Sequence, residues 1–224
     1  MYTPKHFSMT DQQTVDALQR IGAAHIVTGT AMAGSSTESP NRDVADSGGH
    51  SGFQSVFIPV LLDMVPNMAL RGHVARANEW WRLLDDWQPA LAIFAGADTY
   101  VSPSWYPSKA EHGKVVPTWN YQVIHLHGSV RAVDNAQFVA QVVRDLTDLH
   151  ESPLPAPWSV DDAPATFLES MHRAIVGIEF RVDRIEAKSK LSQNRNDADR
   201  IATANVLAAG TPGQQLVAAV MTES

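Results

Sequence analysis

Thirty residues near the middle of the chain concentrate the side chains best suited to binding chemistry: TYVSPSWYPSKAEHGKVVPTWNYQVIHLHG, positions 99 to 128. Trp105, Tyr106, Trp119 and Tyr121 stand among Lys109, Lys114, His112, Ser102, Ser104, Thr118 and Asn120. Pro103, Pro107 and Pro117 restrict φ and reduce what the stretch loses on ordering, so these groups sit in set positions. The composition is that of a preorganised binding loop rather than a connection.

Other constellations are weaker. His125 and His127 lie two apart on a predicted strand and point to one side, as a pair of metal ligands would, but no nearby carboxylate completes a site. Ser104, Glu111 and His112 supply the residue types of a hydrolytic triad without a nucleophile elbow around the serine. Asp85 with Asp86, and Asp161 with Asp162, read as capping and solvated groups rather than paired catalytic carboxylates. No glycine-rich dinucleotide fingerprint occurs.

The elements that must position these groups follow from pattern. Thr10 and Asp11 open a helix carrying Val15, Leu18 and Ile21, which Gly22 ends. A strand over 24 to 30 precedes a polar stretch, 33 to 54, taken as a long mobile loop between two paired strands. Residues 55 to 63 read as a buried strand, 66 to 68 as a turn, and 69 to 75 as a further strand. Asn78 caps a short helix, and 90 to 96 returns as an apolar strand. From Thr118 the chain alternates as one long strand bent near Gly128, with Trp119, Tyr121, Val123, His125 and His127 on one face and Asn120, Gln122, Ile124 and Leu126 on the other. Asn135 opens an amphipathic helix with Phe138, Val139, Val142, Val143, Leu146 and Leu149 on its stripe. A proline-rich linker covers 152 to 158. Asp162 and Pro164 start a helix through Met171, and 177 to 190 alternates as a half-exposed strand with Ile178, Phe180 and Val182 inward. The tail, about 196 to 224, reads as one or two helices broken at Gly210, Pro212 and Gly213.

The chain has 224 residues, 44% of them hydrophobic, enough for one generous domain over 1–224 with a helical tail. With no cysteine, disulfides, thiolate catalysis and thiolate-bound zinc are excluded. The formal charge of −7 argues against nucleic acid as the main partner, since that affinity rests on Lys and Arg neutralising phosphates. No signal-peptide run or membrane span is evident, and a cytoplasmic location is expected.

Five blocks together resemble the PaiB-like family: MYTPKHF at the start, RGHVARAN at 71 to 78, SPSWYPSK at 102 to 109, HGKVVPTWNY at 112 to 121 and KLSQNR at 190 to 195. The resemblance implies a mainly β (α+β) FMN-binding split β-barrel, largely antiparallel, with peripheral helices. It implies a homodimer with the cofactor commonly between subunits, acting as an FMN-binding negative transcriptional regulator. It also implies that the cofactor is bound from the matching blocks: Arg71, His73 and Arg76; Ser102, Trp105, Tyr106 and Lys109; Thr118, Trp119 and Asn120; Lys190, Ser192, Gln193 and Arg195. The Arg and Lys side chains would meet the phosphate, with Asn120 and Gln193 at the ring edge. Piperazate synthases, which are similar to the family and use haem, imply the alternative: a flavin- or haem-dependent redox enzyme with His73 as axial ligand. The chain departs from the family pattern at Phe57, where His is frequent, and in the length of 33 to 54.

Overall fold

A computed structural model describes residues 1–30 and 52–222 of the protein. Six strands close into a barrel in the order β1, β2, β3, β6, β5, β4, with helices outside the sheet. The strands are β1 (Ala23–Thr30), β2 (Gly52–Asp63), β3 (Ala69–Ala75), β4 (Gln88–Val101), β5 (Thr118–Val133) and β6 (Ile175–Lys190). The helices are α1 (Asp11–Ile21), α2 (Ser108–His112), α3 (Ala136–Glu151), α4 (Ala165–Arg173), α5 (Asp197–Ala208) and α6 (Pro212–Thr222). The β1–β2, β2–β3 and β3–β6 ladders are antiparallel, in accord with the expected barrel. No helix among the described residues is long and apolar enough to cross a membrane.

By contacts the chain forms two compact units. Unit 1 comprises Met1–Ile21, Ile93–His125 and Ile185–Ser224; unit 2 comprises Gly22–Ala92 and Leu126–Arg184. The long strands β4, β5 and β6 supply residues to both.

In unit 2, β2 alternates rather than being buried throughout. Val56, Ile58 and Val60 point inward, while Phe53 and Phe57 are 84% and 62% exposed. Two consecutive residues are buried only at Val60 and Leu61, because Leu61 packs against Val142 and Leu146 of α3. That local cover explains why the apolar run looked continuous. Helix α3 begins where predicted, Asn135 Oδ1 accepting from the Phe138 N–H at 2.9 Å, and buries Val139, Val142 and Leu146. Leu149, read as part of that stripe, is half exposed. Asp162 belongs to a 3-10 turn, Val160–Asp162, with a Ser159 capping box; α4 starts after Pro164. Asn78 caps the 3-10 helix Glu79–Leu83, whose Trp80 is buried and donates to Thr28 Oγ1. Gly128 sits where any side chain would run into the Arg181 carbonyl, a close backbone approach that calls for glycine there.

In unit 1, α1 is capped reciprocally, Gln13 N–H to Thr10 Oγ1 and Thr10 N–H to Gln13 Oε1. Helices α5 and α6 pack on each other over Leu207, Val217, Ala218, Val220 and Met221, with Leu191, Ala97 and Trp105 against the same cluster. Burial of each large apolar side chain there is worth about 1.5–3 kcal/mol, which fixes the tail. Gly210 marks the break, but Pro212 opens α6 and Gly213 lies inside it: proline is tolerated at a first helical position. The inward face of β5 is the amide-bearing one, with Asn120 and Gln122 buried ahead of Ile124. The loop reading for 33 to 54 falls almost wholly outside the described residues; only 52 to 54 are seen, as the start of β2.

Candidate functional site

The central stretch is short helices rather than open loop. After β4 ends at the buried Val101, Ser102 caps the 3-10 turn Pro103–Trp105, its Oγ accepting from the Ser104 N–H. Trp105 packs on the α5–α6 cluster and Tyr106 is buried. Helix α2 follows and is ended by Gly113 at φ +66°. Its first residue, Ser108, is anchored from 91 positions away: Asp199 of α5, itself buried, accepts the Ser108 N–H at 3.1 Å and the hydroxyl at 2.7 Å. Asp199 was not singled out from sequence. As third residue after the Asn196 cap it carries a helix-start signal, but nothing local announces its second role.

The structure pairs candidates far apart in sequence. Lys190 Nζ donates to Thr118 Oγ1 at 2.6 Å, and Lys109 Nζ to Ser104 Oγ at 3.2 Å. Arg195 lies over the Tyr106 ring, 4.6 Å from its centroid, and its Nη2 reaches the Val116 carbonyl at 3.4 Å. Ser192, at φ +68°, donates to Oδ1 of the fully buried Asn120, whose Nδ2 contacts Met221 Sδ at 3.5 Å. Gln193 bridges its own turn, accepting from the Leu191 N–H and donating to the Ser189 carbonyl. Its amide therefore shapes the turn that carries Arg195. Trp119, half exposed, donates to Asp98 Oδ1 at 2.9 Å and stands edge-on to Tyr100 at 6.3 Å. Burial pushes the Tyr106 hydroxyl above its ordinary value, opposed by the nearby Arg195 charge.

The remaining three candidates lie in unit 2. Arg71 is held bidentately by Asp63 and by Asp145 at 2.8 Å. The hydrogen bond to Asp63 raises the Arg71 guanidinium further; burial pulls Asp145 up, but its bonds from Arg71 and Gln141 prevail and hold it low. Arg76 bonds Asp134 through both terminal nitrogens and the Arg173 carbonyl through Nε. That pairing lowers Asp134. His73, opposite Gly177 on β6, has a buried Nδ1 with no hydrogen-bond partner among the described residues, and burial pulls its imidazole below the ordinary value.

Other readings fare differently. His125 Nδ1 stands 4.0 Å from Glu186, a carboxylate not anticipated from sequence. The imidazole Nδ1 of His112 accepts from the Lys114 N–H, which ties it into its own turn.

Phosphate asks for cations and hydroxyls that no carboxylate already satisfies. Among the described residues Lys109, Lys190 and Arg195 have no carboxylate within 4.0 Å; their partners are hydroxyls, a carbonyl and a ring. This donor set fits a phosphate-bearing cofactor. Arg71 and Arg76, in contrast, are fully engaged by Asp63, Asp145 and Asp134.

Comparison with known proteins bears on the family and the fold. Residues 1–184 match a family model described as "Putative FMN-binding domain". The chain is 34% identical over 130 residues to "Protease synthase and sporulation protein PAI 2" of Bacillus subtilis, covering 58% of this chain and 60% of that relative. Among solved structures, the flavocytochrome Anf3 from Azotobacter vinelandii superposes at a TM-score of 0.53 with 14% identity, over 90% of this chain and 78% of that one. The FAD and heme binding protein from Mycobacterium smegmatis does so at 0.50 with 16% identity, over 88% and 80%. Such low identities speak to fold alone, and that fold is the split barrel. With the family model covering the barrel strands through 184, the chain belongs to the FMN-binding domain family of split barrels.

Proposed function

We propose that unit 1 holds one FMN, its phosphate on Lys190, Arg195 and Lys109 with the hydroxyls of Thr118, Ser102 and Ser104, in a negative transcriptional regulator of the PaiB type. The observation that carries this is the set of cations lacking carboxylate partners. When bound, FMN supplies a ring that accepts and returns electrons. The chain's own part is positional. Asn120, Ser192 and Gln193 fix the turn bearing Arg195; Asp199 and Ser108 fix the helix bearing Lys109; Trp105 and Tyr106 seat the loop on α5 and α6. Trp119 and Tyr100 offer half-exposed aromatic surface. Arg71 and Arg76 serve the barrel through their ion pairs. Two copies would share the cofactor, and with a charge of −7 the regulator would act through a protein partner rather than by gripping DNA alone.

The test is an absorption spectrum of the purified protein during titration with FMN. Equimolar loading that is lost on replacing Lys109 and Arg195 with Ala supports the site; loading indifferent to both replacements refutes it. A mobility shift of promoter DNA by the chain alone, saturable at about 150 mM salt, would remove the partner step.

A second reading rests on His73. A neutral imidazole with an unpartnered nitrogen is the form that ligates iron, which supports a haem-dependent redox enzyme. Titration with haemin decides it: a Soret band abolished by His73→Ala favours this reading, and no Soret band ends it.

A further inference from the structure

Strand β5 carries a second set of chemistry-bearing side chains on the face opposite its buried amides. Alternation buries Ile124 and Leu126 and leaves His125 and His127 half-buried on the other side, two positions apart and pointing the same way. Glu186 of β6 brings its Oε2 to 4.0 Å from His125 Nδ1. One ring nitrogen from each histidine and one Glu186 oxygen lie within 4.8 Å of one another. The His125 and Glu186 side chains are 24% and 20% exposed, so an ion can reach them while most of the surrounding water is kept away.

The three groups tolerate other partners without losing this capacity. Glu186 Oε1 is ion-paired with the Met1 amine at 2.7 Å, while Oε2 faces His125. Such an outer contact orients a ligating carboxylate. An imidazole has two ring nitrogens, and a metal-bound histidine ordinarily hydrogen-bonds through the one that does not ligate. A tetrahedral ion about 2.0–2.2 Å from each ligand holds neighbouring ligand atoms about 3.4 Å apart, a closure that side-chain rotation on the strands supplies. The donor set also selects the ion. Two imidazoles disfavour magnesium and calcium, which take oxygen, and suit a first-row transition metal; three protein ligands leave a further position for water.

We propose that His125, His127 and Glu186 bind one divalent transition-metal ion, with zinc as the test ion. The site is independent of the flavin reading, because it shares no residue with the cations assigned to phosphate.

The test is calorimetric titration of the full-length, chelator-treated protein with zinc chloride at neutral pH, alongside magnesium chloride. One saturable zinc site per chain is expected, with magnesium at least a hundredfold weaker. His127→Ala and Glu186→Gln each weaken zinc at least tenfold, whereas His150→Ala, which removes an exposed histidine of α3, leaves it unchanged. Should a variant fail to fold, cobalt bound to the native protein decides. The intense visible absorption of a four-coordinate ion supports the site, and the faint spectrum of hydrated cobalt refutes it. No saturable zinc binding, undiminished binding in His127→Ala and Glu186→Gln, or equal affinity for magnesium would each overturn the proposal. All are read without FMN, so failure of the flavin to bind leaves these outcomes as they stand.

Discussion

The candidate arginines and lysines of the two units are treated in opposite ways. In unit 2, Arg71 and Arg76 face carboxylates through several bonds each and are set in place by charge. In unit 1, Lys109, Lys190 and Arg195 rest on hydroxyls, a carbonyl and a phenol ring. Hydroxyls and rings position a cation without neutralising it. The family blocks contain both kinds, so a basic residue in a motif does not by itself mark a ligand contact; its partner decides.

Removing two unneutralised cations tests that contrast most severely. Charge-assisted bonds are worth about 1.5–3 kcal/mol each, so Lys190→Ala with Arg195→Ala should weaken FMN by roughly 100-fold or more with melting temperature little changed. Equal losses of affinity and stability would erase the distinction between the units. Arg71→Met should do the reverse. It strands Asp63 and Asp145, costs roughly 2 kcal/mol in denaturant unfolding, and leaves FMN affinity intact.

Acid sharpens the comparison further. His73 titrates below its unfolded value of about 6.5, so the unfolded state binds its proton first, and stability falls as pH drops from about 6.5 towards the folded value. Asp145 and Asp134 are depressed, so their contribution persists above about pH 4 and fades only below it. Unfolding followed from pH 7 to 5 should therefore show a slope in the native protein that His73→Leu flattens; an unaltered slope assigns it elsewhere. The smallest effect is expected for Trp119→Phe, whose lost bond to Asp98 lies in solvent: a change within about 0.5 kcal/mol by calorimetry, against which a larger loss would mark Trp119 as structural.

Much of the architecture was legible because it depends on local pattern. Asn135, Asn78 and Thr10 start helices where a capping side chain precedes an apolar stripe, and the alternation after Thr118 gave both the strand and its two faces. The exposure of Phe53 and Phe57 was less legible, since a half-covered strand and a fully covered one carry similar apolar runs until a helix is known to lie over part of it. At the candidate site the residue types could be named, but not their partners. Arg71 is met by Asp145 as well as by Asp63, 74 and 8 positions away, and Arg195 by the Val116 carbonyl, 79 positions away. The inward amides of β5 were assigned to a face, while the sequence reading dwelt on the histidines opposite them.

The bond from Asp199 to Ser108 carries a consequence for how the molecule opens. It ties the start of α2 to the first turn of α5, and the family match at 1–184 ends before α5 begins. Fraying of the tail would therefore propagate into the central stretch, and amide protons of α2 and α5 should exchange with solvent on a common timescale. The segment beyond 184 acts as the keeper of the central stretch, so anything that loosens α5 also loosens the placement of Ser108 and, beside it, Lys109.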